Sequence, residues 1–124
     1  MKALLLIFVG GGAGSVLRYV ISKAVTLDIG IGGFPAGTLL VNVLGSFIIG
    51  VFMGLSLREN ASVSENTMLL ITTGFCGGFT TFSTFALENQ QLLKNGDWPA
   101  LLTYVLASLM LGVLAVFAGI AFSR

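Results

Sequence analysis

Charged side chains mark off this chain at intervals and leave long apolar stretches between them. None lies between Lys2 and Arg18, between Asp28 and Arg58, between Glu65 and Glu88, or between Asp97 and Arg124. A helix that crosses a bilayer needs roughly 20 mostly apolar residues at a rise of about 1.5 Å each. The last three windows have that length. The first has it only if its helix continues past Arg18, whose long side chain can reach back toward water. The pattern therefore predicts an all-α membrane protein of four spans, at about 3–24, 36–57, 66–94 and 98–123, forming one domain over 1–124.

Composition strengthens that reading. The chain is 56% apolar and 9% charged, with a mean hydropathy of +1.01, whereas soluble domains carry about 25% charged residues. A chain of 124 residues cannot hide so much apolar surface from water by folding on itself. Lys2 followed by Ala3–Val9 also resembles the start of a signal peptide. The glycine-rich run and the further spans after it suit a retained helix better. The single cysteine, Cys76, can form no intrachain disulfide, and there is no histidine. A net charge of +1 gives no reason to expect nucleic acid as a partner.

The links between spans are short. Gly30, Gly32, Gly33 and Pro35 join the first span to the second, and a polar loop over 58–65 joins the second to the third. Asn95-Gly-Asp-Trp-Pro99 reads as a turn followed by an interfacial helix start. Four spans place both termini on one side. Lys2, Arg58 and Arg124 then lie toward one face, and Arg18, Lys23 and Lys94 toward the other. Orientation follows an excess of Lys and Arg on the cytoplasmic side, and three against three supplies none. Such a balance fits either a weak topology signal or insertion in both directions.

Glycine is abundant, at 17 residues. Gly10 and Gly14, Gly50 and Gly54, and Gly74 and Gly78 each form a GxxxG pair suited to close helix approach in lipid. In the third segment, Gly74, Gly77 and Gly78 stand beside β-branched threonines. Glycine costs about 1 kcal/mol against alanine in a helix interior, so the helix is expected to break there, near mid-membrane. Exposed backbone at that depth must be buried in protein or line a cavity, where its carbonyls and amides can serve ions. A packing kink satisfied by threonine hydroxyls is the competing explanation. The hydroxyls that follow, Thr80, Thr81, Ser83 and Thr84, favour a functional break.

Other polar positions are few. Asn42 sits in the apolar run Leu39–Leu44 and should face the protein interior, as a helix-to-helix hydrogen bond or as a pore donor. Tyr104 and Ser108 share one face of the fourth span, and Thr38 extends the polar set from the second. Phe82 and Phe85 share a face after the break, a spacing that by itself also fits core or lipid-facing residues. Arg18 and Glu88 close their apolar windows near the membrane boundary. No ionisable residue stands in the middle of any window, which counts against proton-coupled or cation-drug transport.

Three stretches together carry a resemblance: Gly10-Gly-Gly-Ala-Gly-Ser-Val-Leu-Arg18, Gly37-Thr-Leu-Leu-Val-Asn42 with Gly45, and Gly74-Phe-Cys-Gly-Gly-Phe-Thr-Thr-Phe-Ser-Thr-Phe85. They closely resemble the Fluc (CrcB) fluoride-channel family of bacteria, over the whole chain, and the third stretch is the most specific. The resemblance implies a multi-pass protein of the bacterial cytoplasmic (inner) membrane that works as an antiparallel, dual-topology homodimer and exports fluoride passively. It implies that Phe82 and Phe85 line the pore, that Asn42 donates to fluoride, and that Ser83, Thr84, Tyr104, Ser108 and Thr38 add to the lining. Arg18 and Glu88 would sit toward the pore mouths. A structural Na⁺ would bind the backbone carbonyls of Gly77 and Thr80 from both subunits. Gly112, one turn beyond Ser108, interrupts the polar stripe of the fourth span. The alternative is a small dual-topology multidrug-type transporter, but such proteins carry a glutamate in the first span, and Gly10–Val16 holds no acid.

Overall fold

A computed structural model of the chain describes residues 1–28, 33–60 and 63–124. Gly30 and Gly32 of the first link, and Ala61 and Ser62 of the polar loop, lie outside the described residues. Helix α1 is Lys2–Asp28 and α2 is Ala36–Ser56. The third span is composite: α3 (Glu65–Met68), a π-helical stretch over Leu69–Cys76, α4 (Gly77–Phe79) and, after two extended residues, α5 (Phe82–Lys94). Helix α6, Trp98–Ser123, completes the chain. Four helical segments, Lys2–Thr26, Ala36–Ser56, Glu65–Lys94 and Trp98–Ser123, are long and apolar enough to cross a membrane.

Local chemistry sets the ends. The Ser64 hydroxyl accepts from the Thr67 amide at 3.1 Å, capping α3. Asp97 accepts from the Ala100 amide at 3.2 Å at the start of α6, where Pro99 needs no amide partner. Gly96 turns the chain between α5 and α6 at φ +71°, a conformation that favours glycine.

The spans pair as first with third and second with fourth, in parallel register. Gly10 and Gly14 meet Leu70 and Phe75, and Gly50 and Gly54 meet Val116 and Ile120, with numbers rising together along each seam. A methyl on Gly10 would collide with the Leu70 carbonyl, and one on Gly14 with the Phe75 carbonyl. Gly119 is pressed against the Phe47 carbonyl from the other side of the α2–α6 seam. All three GxxxG pairs are thus places where two backbones touch, which is how helices associate when the solvent is as apolar as they are.

The break falls at Thr80 (φ −87°, ψ 157°) and Thr81 (φ −150°, ψ 121°), a correction to the expectation that the glycines interrupt the helix. Gly74, Gly77 and Gly78 all remain helical. Contact is the reason at two of them: Gly74 abuts Gly10 and the Ile7 carbonyl, and Gly78 abuts the Gly11 carbonyl, so helical geometry there is rewarded by packing. The β-branched threonines that follow prefer extended backbone. Thr81 then caps the second half-helix, its hydroxyl accepting from the Thr84 amide at 3.2 Å. The π-helical stretch has no forerunner in the sequence pattern. The Thr72 hydroxyl donates to the Met68 carbonyl at 2.6 Å at its start.

Candidate functional site

The break is held open by side chains from other spans. Asn42 on α2 pairs with Thr81 in both directions: the Thr81 amide donates to Oδ1 at 2.8 Å, and Nδ2 donates to the Thr81 carbonyl at 3.1 Å. Arg18 Nε donates to the Gly78 carbonyl at 3.0 Å, and Ser15 Oγ to the same carbonyl at 3.4 Å. The Cys76 carbonyl accepts from both the amide and the hydroxyl of Thr80, each at 2.9 Å. The Gly78 carbonyl and both backbone groups of Thr81 thus find partners inside the protein, as lipid requires.

Arg18 is a surprise relative to its place in the sequence. Sited near one end of an apolar window, it turns inward to mid-span backbone and is half-buried. Glu88 likewise points into the bundle, accepting a short hydrogen bond from the Thr38 hydroxyl. The bundle interior is therefore less free of charge than window boundaries imply.

Two clefts flank the break and share Thr81. The larger, about 530 Å³, is lined by Arg18, Lys23, Thr38, Thr84 and Glu88 among others. Among the described residues it holds two cations against one carboxylate, a balance whose field favours an anion. The smaller, about 290 Å³, is lined by Asn42, Ser46, Thr80, Phe82, Phe85, Ser108 and Gly112, with Ile49 and Leu109. Among the described residues, no charged side chain lines it. Its polar groups are hydroxyls and an amide, beside two phenylalanine rings whose centroids stand 5.7 Å apart.

Behind those rings the aromatic contacts continue. Phe85 lies 5.0 Å from Tyr104, centroid to centroid, and Tyr104 lies 5.6 Å from Phe34 in an edge-to-face arrangement. Tyr104 is fully buried, and its hydroxyl lies beside Thr38 and Glu88 without a hydrogen bond of ordinary geometry. The Ser108 hydroxyl is also hidden and unpartnered. Phe82, by contrast, is 79% exposed on the single chain. Ser83 is exposed too, and lines neither cleft.

Gly77 is exposed, with nothing within 4 Å of where a Cβ would stand, and Thr80 is half-buried. Among the described residues, no side-chain or loop donor reaches either carbonyl. Unpaired carbonyls beside an unwound turn suit Na⁺. A single chain supplies two of the several oxygens a hard cation takes, and a second copy would supply the same pair again. The residues fit the ion.

Thr81 and Ser46 in the smaller cleft, and Lys23 in the larger, are polar positions that sequence reasoning passed over as lining. Thr81 belonged to the hydroxyl run, and Ser46 stands one helical turn after Asn42, so the spacing that pairs Tyr104 with Ser108 could have found it.

Comparison with known proteins finds matches along nearly the whole chain. The family model described as CrcB-like protein, Camphor Resistance (CrcB), matches residues 5–120. The chain is 50% identical over 124 residues to a protein of Phocaeicola vulgatus named fluoride-specific ion channel FluC, covering 100% of both chains. It is 48% identical over 121 residues to the FluC of Bacteroides fragilis, covering 96% of this chain and 94% of that one. It is 50% identical over 121 residues to the FluC of Rhizobium etli, covering 97% and 94%.

Proposed function

The chain belongs to the CrcB family, and on that premise we propose that it is a fluoride-selective channel, not an enzyme, which lets the ion leave the cytoplasm passively across the bacterial cytoplasmic membrane. The observation that carries the reading is the meeting of two unlike clefts at Thr81, one cationic and one lined by neutral donors and aromatic rings.

Each cleft has a task. Arg18 and Lys23 raise the local anion concentration in the larger one. Fluoride is small and tightly hydrated, so the smaller cleft must replace its water with closely spaced donors. The free N–H of Asn42, the Ser108 hydroxyl and the hydroxyls at the break supply them, with Thr84 and Thr38 on the approach and Ser83 and Tyr104 nearby. Phe82 and Phe85 turn ring edges, the positive part of the aromatic quadrupole, toward the ion. Neutral donors also release what they bind, which conduction demands. Arg18 and Glu88 act in the wider cleft.

A second copy completes the path. Phe82 exposed on one chain, a cleft open at its flank and the balanced basic residues all fit an antiparallel, dual-topology homodimer. Na⁺ held by the Gly77 and Thr80 carbonyls of both subunits would join the two breaks, supplying charge and a crosslink there.

Purified protein in fluoride-loaded liposomes, read with a fluoride electrode, tests this. Fluoride should leave far faster than from protein-free vesicles while chloride is retained. Equal rates with and without protein refute the reading.

A further inference from the structure

The polar face of α6 carries Tyr104 and Ser108 and then stops, because Gly112 has no side chain. The opposite wall fills that place. Ser46 Oγ lies 3.8 Å from where a Cβ on Gly112 would stand, and among the described residues it is the one atom outside the neighbouring α6 backbone that such a Cβ would meet within 4 Å. Ser46 also lines the smaller cleft with Asn42, Phe82, Phe85 and Ser108. Its hydroxyl donates to the Asn42 carbonyl at 2.8 Å.

We propose that Ser46 is a pore-lining donor, supplying from α2 the hydroxyl that α6 lacks at Gly112, so that the path beyond Asn42 and Ser108 runs between two helices. The inference rests on the fluoride-channel reading and adds a residue to it. Its bond to Asn42 can be given up without stranding the carbonyl. Ser46 stands four residues after Asn42 inside α2, so the Asn42 carbonyl also accepts the helical amide of Ser46. Rotation about the Cβ–Oγ bond would swing the hydroxyl proton into the cleft and leave that carbonyl satisfied. Ser46 then works as a latch: bonded to backbone when the site is empty, turned to the anion when one arrives. Ser108, hidden and unpartnered, faces the same anion from the other side.

The experiment measures fluoride efflux from liposomes for wild type, Ser46→Ala, Ser46→Thr and the double variant Ser46→Ala/Gly112→Ser, each first shown to elute as the wild-type species by size exclusion. Ser46→Ala should lower the rate about tenfold, the order expected for losing one anion hydrogen bond. Ser46→Thr should keep most of the rate. Gly112→Ser, restoring a hydroxyl to the same place from the opposite helix, should recover at least half of what Ser46→Ala loses. Chloride should stay excluded throughout. Wild-type flux in Ser46→Ala overturns the inference. So does a loss that Gly112→Ser leaves uncorrected, since that marks a packing defect. A wild-type protein that carries no fluoride overturns the channel reading and this inference with it.

Discussion

Asn42 and Thr81, 39 residues apart in sequence, form a closed pair in which one side-chain amide satisfies both the N–H and the C=O of one backbone residue. An asparagine amide offers an acceptor and two donors, so this pairing leaves one N–H of Asn42 free. The same side chain can thus hold the break open and face the smaller cleft. A residue that fixes the geometry of a site and also lines it can be tested for both roles.

Asn42→Ala should do double damage. It strands the Thr81 amide and carbonyl, at a cost of roughly 1–3 kcal/mol for each partly buried group, and it removes a donor from the cleft. Thermal unfolding of the detergent-solubilised protein should shift down, and fluoride flux should fall at least about tenfold. Asn42→Asp keeps the acceptor for Thr81 but loses the donor and adds a negative charge, so it should keep more stability than alanine while conducting no better. If Asn42→Ala unfolds and conducts as wild type does, the pair is incidental.

Phe82→Ile and Phe85→Ile should separate flux from folding. Phe82 is so exposed on the single chain that its replacement removes little buried contact within that chain. Isoleucine has no positive ring edge to offer an anion. Liposome flux should drop by about tenfold or more for either variant, and size exclusion should show the same oligomer. Undiminished flux in a well-folded double variant removes the rings from the lining.

The seam between α2 and α6 predicts a different kind of failure. Gly50→Ala drives a methyl into the Val116 carbonyl, and Gly119→Ala drives one into the Phe47 carbonyl. Overpacking of this kind costs about 1–3 kcal/mol, so each should lower the unfolding temperature. Together they should cost less than their sum, because the first already separates the helices that the second would push apart. Strict additivity in the double variant would mean that the two sites do not share one seam.

Sodium should matter to assembly more than to the ion path. Thorough replacement of Na⁺ by a large organic cation should destabilise the dimer and lower flux, and returning Na⁺ should restore both. Unchanged stability and flux in Na⁺-free buffer would detach the Gly77 and Thr80 carbonyls from any cation role.

Much of this architecture is legible in the charge pattern. The second and fourth helices, Ala36–Ser56 and Trp98–Ser123, lie almost where the apolar windows put them, because lipid tolerates few charges away from the ends of a span. Helix α1 runs to Asp28, well beyond the expected 24, since neither Arg18 nor Lys23 interrupts it. The interruption of the third span is legible too, but its position is displaced to Thr80 and Thr81. Propensity points to glycine, and tertiary contact with α1 keeps Gly74 and Gly78 helical. The inward turn of Arg18 could not be read at all. Spacing says where a side chain starts, and only packing says that its best hydrogen-bond acceptor is the Gly78 carbonyl across the seam. Ser46 was hidden for a related reason: its meaning depends on Gly112, 66 positions away in the chain and opposite it in the fold.

The most direct test of a selective, uncoupled fluoride path is the reversal potential of the current in a planar bilayer, with a tenfold fluoride gradient and equal chloride on both sides. The current should reverse at the fluoride Nernst potential, about 59 mV in magnitude, and should not move when the chloride concentration is changed on one side. A current that reverses near zero or follows chloride, or the absence of any current from protein that is folded and inserted, would contradict it.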